Sequence, residues 1–147
     1  MHVEWYDPAM EAHRYRFLQK HRLRTPSQYA AVYDARVREV RGPLTVFALP
    51  NELGHPRLGL SVSRKVGVAV KRNRIRRLLR EAFRQMQHDL PRGYDWVIVV
   101  RPHEPLMLAE YQKLMTGMVV KLHNTWKRRL PEPNTSAASQ AGPEMTG

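Results

Sequence analysis

The sequence contains no cysteine, and other patterns that mark particular classes of protein are missing as well. Without cysteine there is no disulfide, no thiolate metal ligand and no cysteine nucleophile. No apolar run approaches the roughly 20 residues that a membrane-spanning helix needs. The first residues also lack the basic-then-apolar pattern of a secretory signal. We therefore expect a cytoplasmic location.

Catalytic patterns are missing too. The seven histidines show no metal-ligand spacing such as HxxxH. Aspartate and glutamate are sparse, and neither a P-loop nor a GxSxG nucleophile motif occurs. We predict no catalytic residue and no metal site on this chain, so its side chains are poor candidates for any chemical step.

What the sequence does have is positive charge, with 25 basic residues against 13 acidic ones. All 25 basic residues lie between Arg14 and Arg129, together with only eight of the acidic ones. A body this basic suggests nucleic acid as the first candidate partner and an anionic membrane surface as the second.

The charge is densest between Arg64 and Arg84, which hold nine basic residues and a single acidic one, Glu81. The apolar residues of this region recur with the period of one helix face: Ile75, Leu78, Leu79, Ala82, Phe83, Met86 and Leu90. The opposite face of such a helix carries Asn73, Arg76, Arg77, Arg80 and Arg84. One side can enter a core while the other presents closely spaced cations.

Lys71, Arg72 and Arg74 fall at the predicted start of this helix. The free N–H groups and the dipole make a helix N-terminus positive, so cations there are unfavourable unless an anion such as phosphate binds. A merely solvated face would mix charges of both signs, and we therefore favour nucleic-acid binding. Gly67, just before the helix, predicts a bend.

The remaining pattern predicts a single α+β domain whose helices cover one face of a sheet. A first helix would begin at Ser27 as N-cap, and a turn would follow at Gly42-Pro43. Strands are predicted at 44–49, 57–63 and 96–100, the last one central, with room for an additional strand between 57–63 and the basic helix. Residues 50–56 have the composition of a hairpin, and a last helix covers 111–126.

Three aromatic residues admit two interpretations. Tyr29 and Tyr33 share a face of the first helix, and Phe47 lies in a predicted strand. Helical aromatics at this spacing are more often core residues than platforms for bases. A site for single-stranded nucleic acid, however, combines cationic and aromatic surfaces, so both interpretations stand on the residues alone.

Residues 57–84, RLGLSVSRKVGVAVKRNRIRRLLREAFR, resemble the signature of the bacterial ribonuclease P protein subunit. The hallmark is the RNR element, here Arg72-Asn73-Arg74, after a strand of the form LGxSVSxKVG. Weaker similarity extends back to Arg22-Leu23 and Tyr29-x-x-x-Tyr33, and forward through residues 95–101. It covers roughly residues 20–128.

The resemblance implies an α-β-β-β-α-β-α fold with a four-stranded sheet, like domain 2 of ribosomal protein S5. It also implies a left-handed βαβ crossover, which general rules of chain handedness would not predict. The expected organisation is an N-terminal flexible extension over 1–13, an RNA-binding ribonuclease P protein domain over 14–130, and a disordered tail over 131–147. The extension and the tail have no counterpart in the resemblance.

The function implied is removal of the 5′ leader of precursor tRNA by a ribonucleoprotein endonuclease. Its catalytic RNA carries the chemistry and binds most of the Mg²⁺. Leader binding is implied for Tyr29, Tyr33 and Phe47, which match aromatic cleft positions. The family positions and the charge pattern together predict RNA binding by Arg64, Lys65, Lys71, Arg72, Asn73, Arg74, Arg76, Arg77, Arg80 and Arg84. The expected partners are the catalytic RNA and the leader, with no membrane and no obligate protein partner.

Three alternatives remain open. A structural RNA-binding protein of the ribosomal type would bind RNA with similar salt dependence but would not prefer precursor over mature tRNA. A protein-only nuclease would need a cluster of carboxylates to hold metal. A DNA-binding module is disfavoured because no helix-turn-helix spacing occurs.

Overall fold

A computed structural model describes residues 19–91 and 93–129. The predicted extension over 1–13 and tail over 131–147 lie outside these residues. Among the described residues, no helix is long and apolar enough to cross a membrane.

The described chain forms an α-β-β-β-α-β-α domain, which confirms the expected order. The additional strand is Arg38–Arg41, so its predicted place between 57–63 and the basic helix is wrong. That place holds a short 3₁₀ turn, Arg64–Val66, and a second 3₁₀ turn lies at Gln19–His21. The helices are α1, Pro26–Ala35; α2, Ala69–Met86; and α3, Leu108–Arg129. The strands are β1, Arg38–Arg41; β2, Leu44–Pro50; β3, Arg57–Val62; and β4, Tyr94–Val100.

The four strands form one mixed sheet in the order β1-β2-β4-β3. Strand β4 is central as predicted, antiparallel to β2 and parallel to β3. Helix α2 is therefore the crossover between the parallel strands β3 and β4, and the handedness of this crossover stays a prediction. Strands β1 and β2 form a hairpin through the predicted turn at Gly42, whose φ is 52°.

The hairpin predicted at 50–56 is wrong, because β4 lies between the two strands that this segment connects. The segment instead passes the end of β4, where the buried carboxylate of Asp95 fixes it. Asn51 donates to Asp95 from its side-chain amide at 2.7 Å, and the Nε of Arg57 donates at 2.8 Å. The turn-forming composition of residues 50–56 correctly predicted a loop, but it did not show which strands pair.

Helices cover both faces of the sheet rather than the single face expected from the sequence. Helices α2 and α3 close the main core, which contains Ile75, Phe83, Trp96, Tyr111 and Met118 among its largest buried side chains. Helix α1 packs on the opposite face, where Leu23, Val32 and Val97 are buried. Because side chains alternate along a strand, Val97 and its neighbour Ile98 serve different cores.

The N-cap of helix α1 lies two residues before the predicted one. Thr25, not Ser27, is the N-cap, and its side-chain oxygen accepts from the backbone N–H of Gln28 at 3.2 Å. The Gln28 side chain accepts from the Thr25 backbone N–H at 3.1 Å, which completes a capping box. Pro26 then occupies the first helical position, where its missing N–H costs nothing.

Candidate nucleic-acid interface

Helix α2 has the two-sided character that its sequence predicts. Ile75, Leu79, Ala82 and Phe83 are buried, and Leu78 and Met86 pack partly against the same core. Leu90 is buried as well, although it lies beyond the end of the helix at Met86. Burial of this face fixes the rotation of the helix and leaves the arginine face toward solvent.

The start of helix α2 carries cations and no compensating acid. Its N-cap, Val68, offers no side-chain acceptor, and no acidic residue occurs in the first turn. Gly67 makes the predicted bend between the 3₁₀ turn and the helix, with a φ of 153° that side-chain-bearing residues rarely adopt. Arg64 and Lys65 lie exposed in the 3₁₀ turn just before this bend.

Two of the cations at this helix start are held by acceptors within the protein. The ammonium of Lys71 donates to Glu104 at 2.9 Å, and that hydrogen bond lowers the pKa of the Glu104 carboxyl. The Nε of Arg72 donates to the carbonyl of Gly67 at 3.0 Å. Both contacts are at or near the surface, so a phosphate could replace them.

Farther along, helix α2 and the segment before α1 line an open surface that we call the basic groove. It is lined by Arg22, Arg74, Arg77, Leu78, Arg80, Glu81 and Arg84. Glu81, the single acid there, accepts from Arg84 at 2.9 Å and from Gln85 at 2.7 Å. Arg74 and Arg77 form no ion pair with any residue in the described part of the chain, and both are exposed.

Arg76 and Asn73 lie on the side of α2 that borders the sheet. Arg76 donates to the side-chain oxygen of Asn73 at 3.0 Å and to the carbonyl of Val62, the last residue of β3, at 3.4 Å. The asparagine of the RNR element therefore orients an arginine toward the edge of the sheet. Charge alone would not have predicted this role for Asn73.

The structure brings the three predicted aromatic residues together on the α1 face of the sheet, in a surface that we call the aromatic cleft. Tyr33 and Phe47 meet edge to face, with ring centroids 5.0 Å apart. Tyr29 lies over Gly59 of β3, where no side chain stands in its way. All three rings are only partly buried, so they are both packing residues and an accessible aromatic surface.

The basic groove and the aromatic cleft adjoin near Arg22, a groove residue that pairs with Leu58 of β3, next to Gly59 beneath the Tyr29 ring. Burial lowers the pKa of the Arg80 guanidinium, and the charges of Arg22 and Arg76 lower it further, whereas Tyr29 acts in the opposite direction. Arg80 therefore lies within electrostatic range of both a groove residue and a cleft residue. An isolated parallel β-bridge between Arg22 and Leu58 of β3 fixes the backbone of Arg22 at this junction.

Two basic residues at this interface were not predicted as site residues. Arg22 lines the basic groove, and Arg38 of β1 places its guanidinium carbon 6.0 Å from the centre of the Phe47 ring. Neither belongs to the dense run in α2, so charge density could not single them out. The segment 20–24 does alternate Lys20, Arg22 and Arg24, a weak signal for an exposed basic edge.

In the part of the chain that the structure describes, acidic and histidine side chains do not assemble into a metal site. Within residues 19–91 and 93–129, no group of three such side chains could hold a metal ion. His21 and His55 do meet edge to face at 5.5 Å, and burial lowers the pKa of His21.

This chain is similar to known proteins in both sequence and fold. A family model described as Ribonuclease P matches residues 17–129. The ribonuclease P protein component of Photorhabdus laumondii is 47% identical over 81 residues, 54% of this chain and 67% of that protein. That of Methylococcus capsulatus is 47% identical over 88 residues, 59% of this chain and 68% of that protein. The solved RNase P protein of Staphylococcus aureus is 28% identical with a TM-score of 0.60, covering 70% of this chain and 94% of that one.

Proposed function

Because this chain belongs to the Ribonuclease P family, we propose that it binds the catalytic RNA of ribonuclease P and the 5′ leader of precursor tRNA. In this proposal the exposed face of α2 and the basic groove dock on the RNA subunit. The aromatic cleft receives the single-stranded leader. The protein thereby assists endonucleolytic removal of the leader, which gives the mature 5′ end of the tRNA.

The observation that carries this proposal is the proximity of the two surfaces, since Arg22 of the basic groove pairs with Leu58, the neighbour of Gly59 beneath Tyr29. A folded RNA presents mainly phosphates, which suit a dense arginine face. A single strand presents phosphates and unstacked bases, which suit cations beside aromatic rings. A protein that has both surfaces side by side can hold a folded RNA and a single strand that emerges from it.

The chemistry in this proposal belongs to the RNA subunit. Mg²⁺ would be held mainly by RNA phosphates, and the protein's cations would reduce repulsion between the catalytic RNA and its substrate. The side chains of this chain bind and position RNA. They transfer no proton in the reaction and form no covalent bond with the substrate.

Reconstitution tests the proposal directly. The full chain is combined with its cognate catalytic RNA at low Mg²⁺ and physiological salt, and cleavage of precursor tRNA is measured. We expect strong stimulation of cleavage and tighter binding of precursor than of mature tRNA. A protein that leaves cleavage unchanged would refute the proposal, and equal binding of both tRNAs would favour a structural RNA-binding role.

Two variants separate the surfaces. Arg74→Ala removes an exposed cation of the basic groove, so it should weaken assembly with the catalytic RNA for every substrate. Tyr33→Ala removes one wall of the aromatic cleft and should reduce only the preference for leader-bearing substrate, since stacking is worth about 1–3 kcal/mol per base. Equal losses on precursor and mature tRNA with Tyr33→Ala would contradict the cleft assignment.

A further inference from the structure

Arg38 lies on the edge strand β1, at the border of the aromatic cleft. In the antiparallel register Arg38 is directly opposite Phe47, so the two side chains emerge on the same face of the sheet. Phe47 is in turn opposite Val97, which packs beneath α1. Arg38 is therefore part of the row of side chains that forms the cleft.

The neighbouring charges of β1 belong to the other face. Glu39 and Arg41 alternate with Arg38, and their side chains meet at 3.9 Å. Lys121 of helix α3 also approaches Glu39, at 3.6 Å. The only acid on β1 is thus engaged on the α3 side, away from the cleft.

Arg38 has no carboxylate partner among the described residues. Its side chain is exposed, and its guanidinium lies 6.0 Å from the centre of the Phe47 ring. A cation over an aromatic ring is weakly attracted to it, and this contact leaves the N–H donors of the guanidinium facing solvent. A flexible arginine in this position can turn from the ring to a nearby anion without breaking an ion pair.

We propose that Arg38 forms a phosphate subsite of the aromatic cleft and binds one phosphodiester of the single strand whose base contacts Tyr33 and Phe47. Every nucleotide that places a base on an aromatic ring brings a phosphate to each side of it. A guanidinium can bind that phosphate through two parallel hydrogen bonds. The subsite would add affinity for any leader sequence, because it reads the backbone and not the base.

This inference rests on the proposed leader-binding function, and its test separates the two. Affinity of the reconstituted holoenzyme for precursor tRNA is measured over a series of salt concentrations, with mature tRNA as reference. For a single-strand phosphate contact, the slope of log affinity against log salt changes by about 0.7. Arg38→Gln should reduce the slope for precursor by about this amount and leave the slope for mature tRNA unchanged.

Two further variants serve as controls. Arg41→Gln removes the same charge three residues away on the opposite face, so it should leave both slopes unchanged. Arg38→Lys keeps the charge and should retain most of the slope while losing part of the affinity that bidentate binding supplies. A reduction by Arg41→Gln equal to that by Arg38→Gln would show a general charge effect and overturn the proposal.

Neutralising one leader phosphate at a time locates the subsite. A methylphosphonate at the phosphate bound by Arg38 should weaken binding by the wild-type holoenzyme and have no further effect with Arg38→Gln. Additive losses at every leader position would overturn the subsite. If the wild-type holoenzyme itself does not distinguish precursor from mature tRNA, the proposed function fails, and that outcome differs from a failure of the Arg38 subsite alone.

Discussion

Gly59 of β3 lies directly beneath the ring of Tyr29, so one added methyl group should alter the aromatic cleft. A Cβ built on Gly59 would approach two ring carbons of Tyr29 at 2.7 Å and its hydroxyl oxygen at 2.9 Å. Real Cβ atoms essentially never come this close to another heavy atom, so the ring must move. The backbone of Gly59 is not in the left-handed region, and Gly59→Ala therefore adds crowding without backbone strain.

The crowding should cost more in binding than in stability. The clashing atoms are the outer end of the partly buried Tyr29 side chain, which can rotate outward. The lost burial should lower the stability by about 1 kcal/mol, less than for a fully buried side chain. A displaced ring no longer offers its stacking face, which is worth about 1–3 kcal/mol per base. The preference for precursor over mature tRNA should fall by roughly fivefold to 150-fold.

The measurement is the ratio of holoenzyme affinities for precursor and mature tRNA. Gly117→Ala is a matched control, because a Cβ there would meet the guanidinium of Arg41 on the other face of the sheet. It should leave the ratio unchanged. The reasoning is refuted if Gly59→Ala keeps the wild-type ratio, or if it lowers the ratio further in a chain that already carries Tyr29→Ala.

Three other predictions concern charges. Asp95→Ala removes the carboxylate partner of the Arg57 guanidinium, which is only 19% exposed. Urea denaturation should therefore show that the free energy of unfolding falls by about 3 kcal/mol. Burial lowers the pKa of His123, so the unfolded chain binds that proton more tightly. Stability should therefore fall as the pH drops below about 6.5, and His123→Gln should flatten part of that slope. Glu104→Gln frees Lys71, so RNA affinity should rise at low salt and return to the wild-type value as salt screens the charges.

Helix α2 could be predicted from sequence because its signal is local. Seven apolar positions repeat with one period in the sequence, and the six from Ile75 to Met86 lie in the helix and face the core. The central strand β4 was similarly clear, since a short apolar run such as 96–100 is buried on both faces. In both elements each residue's neighbours in sequence carry enough information to place it.

Strand pairing depends on residues that are distant in sequence. The segment 50–56 has hairpin composition, but β4, more than 30 residues later, pairs with β2 in place of β3. Strand β1 gave little apolar signal because Arg38, Glu39 and Arg41 are charged. This composition fits an edge strand, which pairs with a neighbour on one side only. Arg38 was not predicted as a cleft residue, because its place in the cleft follows from its register with Phe47.

The start of helix α2 links the stability of the protein to its proposed partner. Val68 supplies no cap, and the first turn carries Lys71 where a helix normally gains from an acid. Lys71 and Arg72 instead rely on Glu104 and a backbone carbonyl. A phosphodiester carries one negative charge, as Glu104 does, but at this helix end it can contact the free N–H groups and both cations at once. An RNA phosphate at this helix end would therefore satisfy free N–H groups and cations together, so the features that weaken the isolated helix are those that favour its binding to RNA.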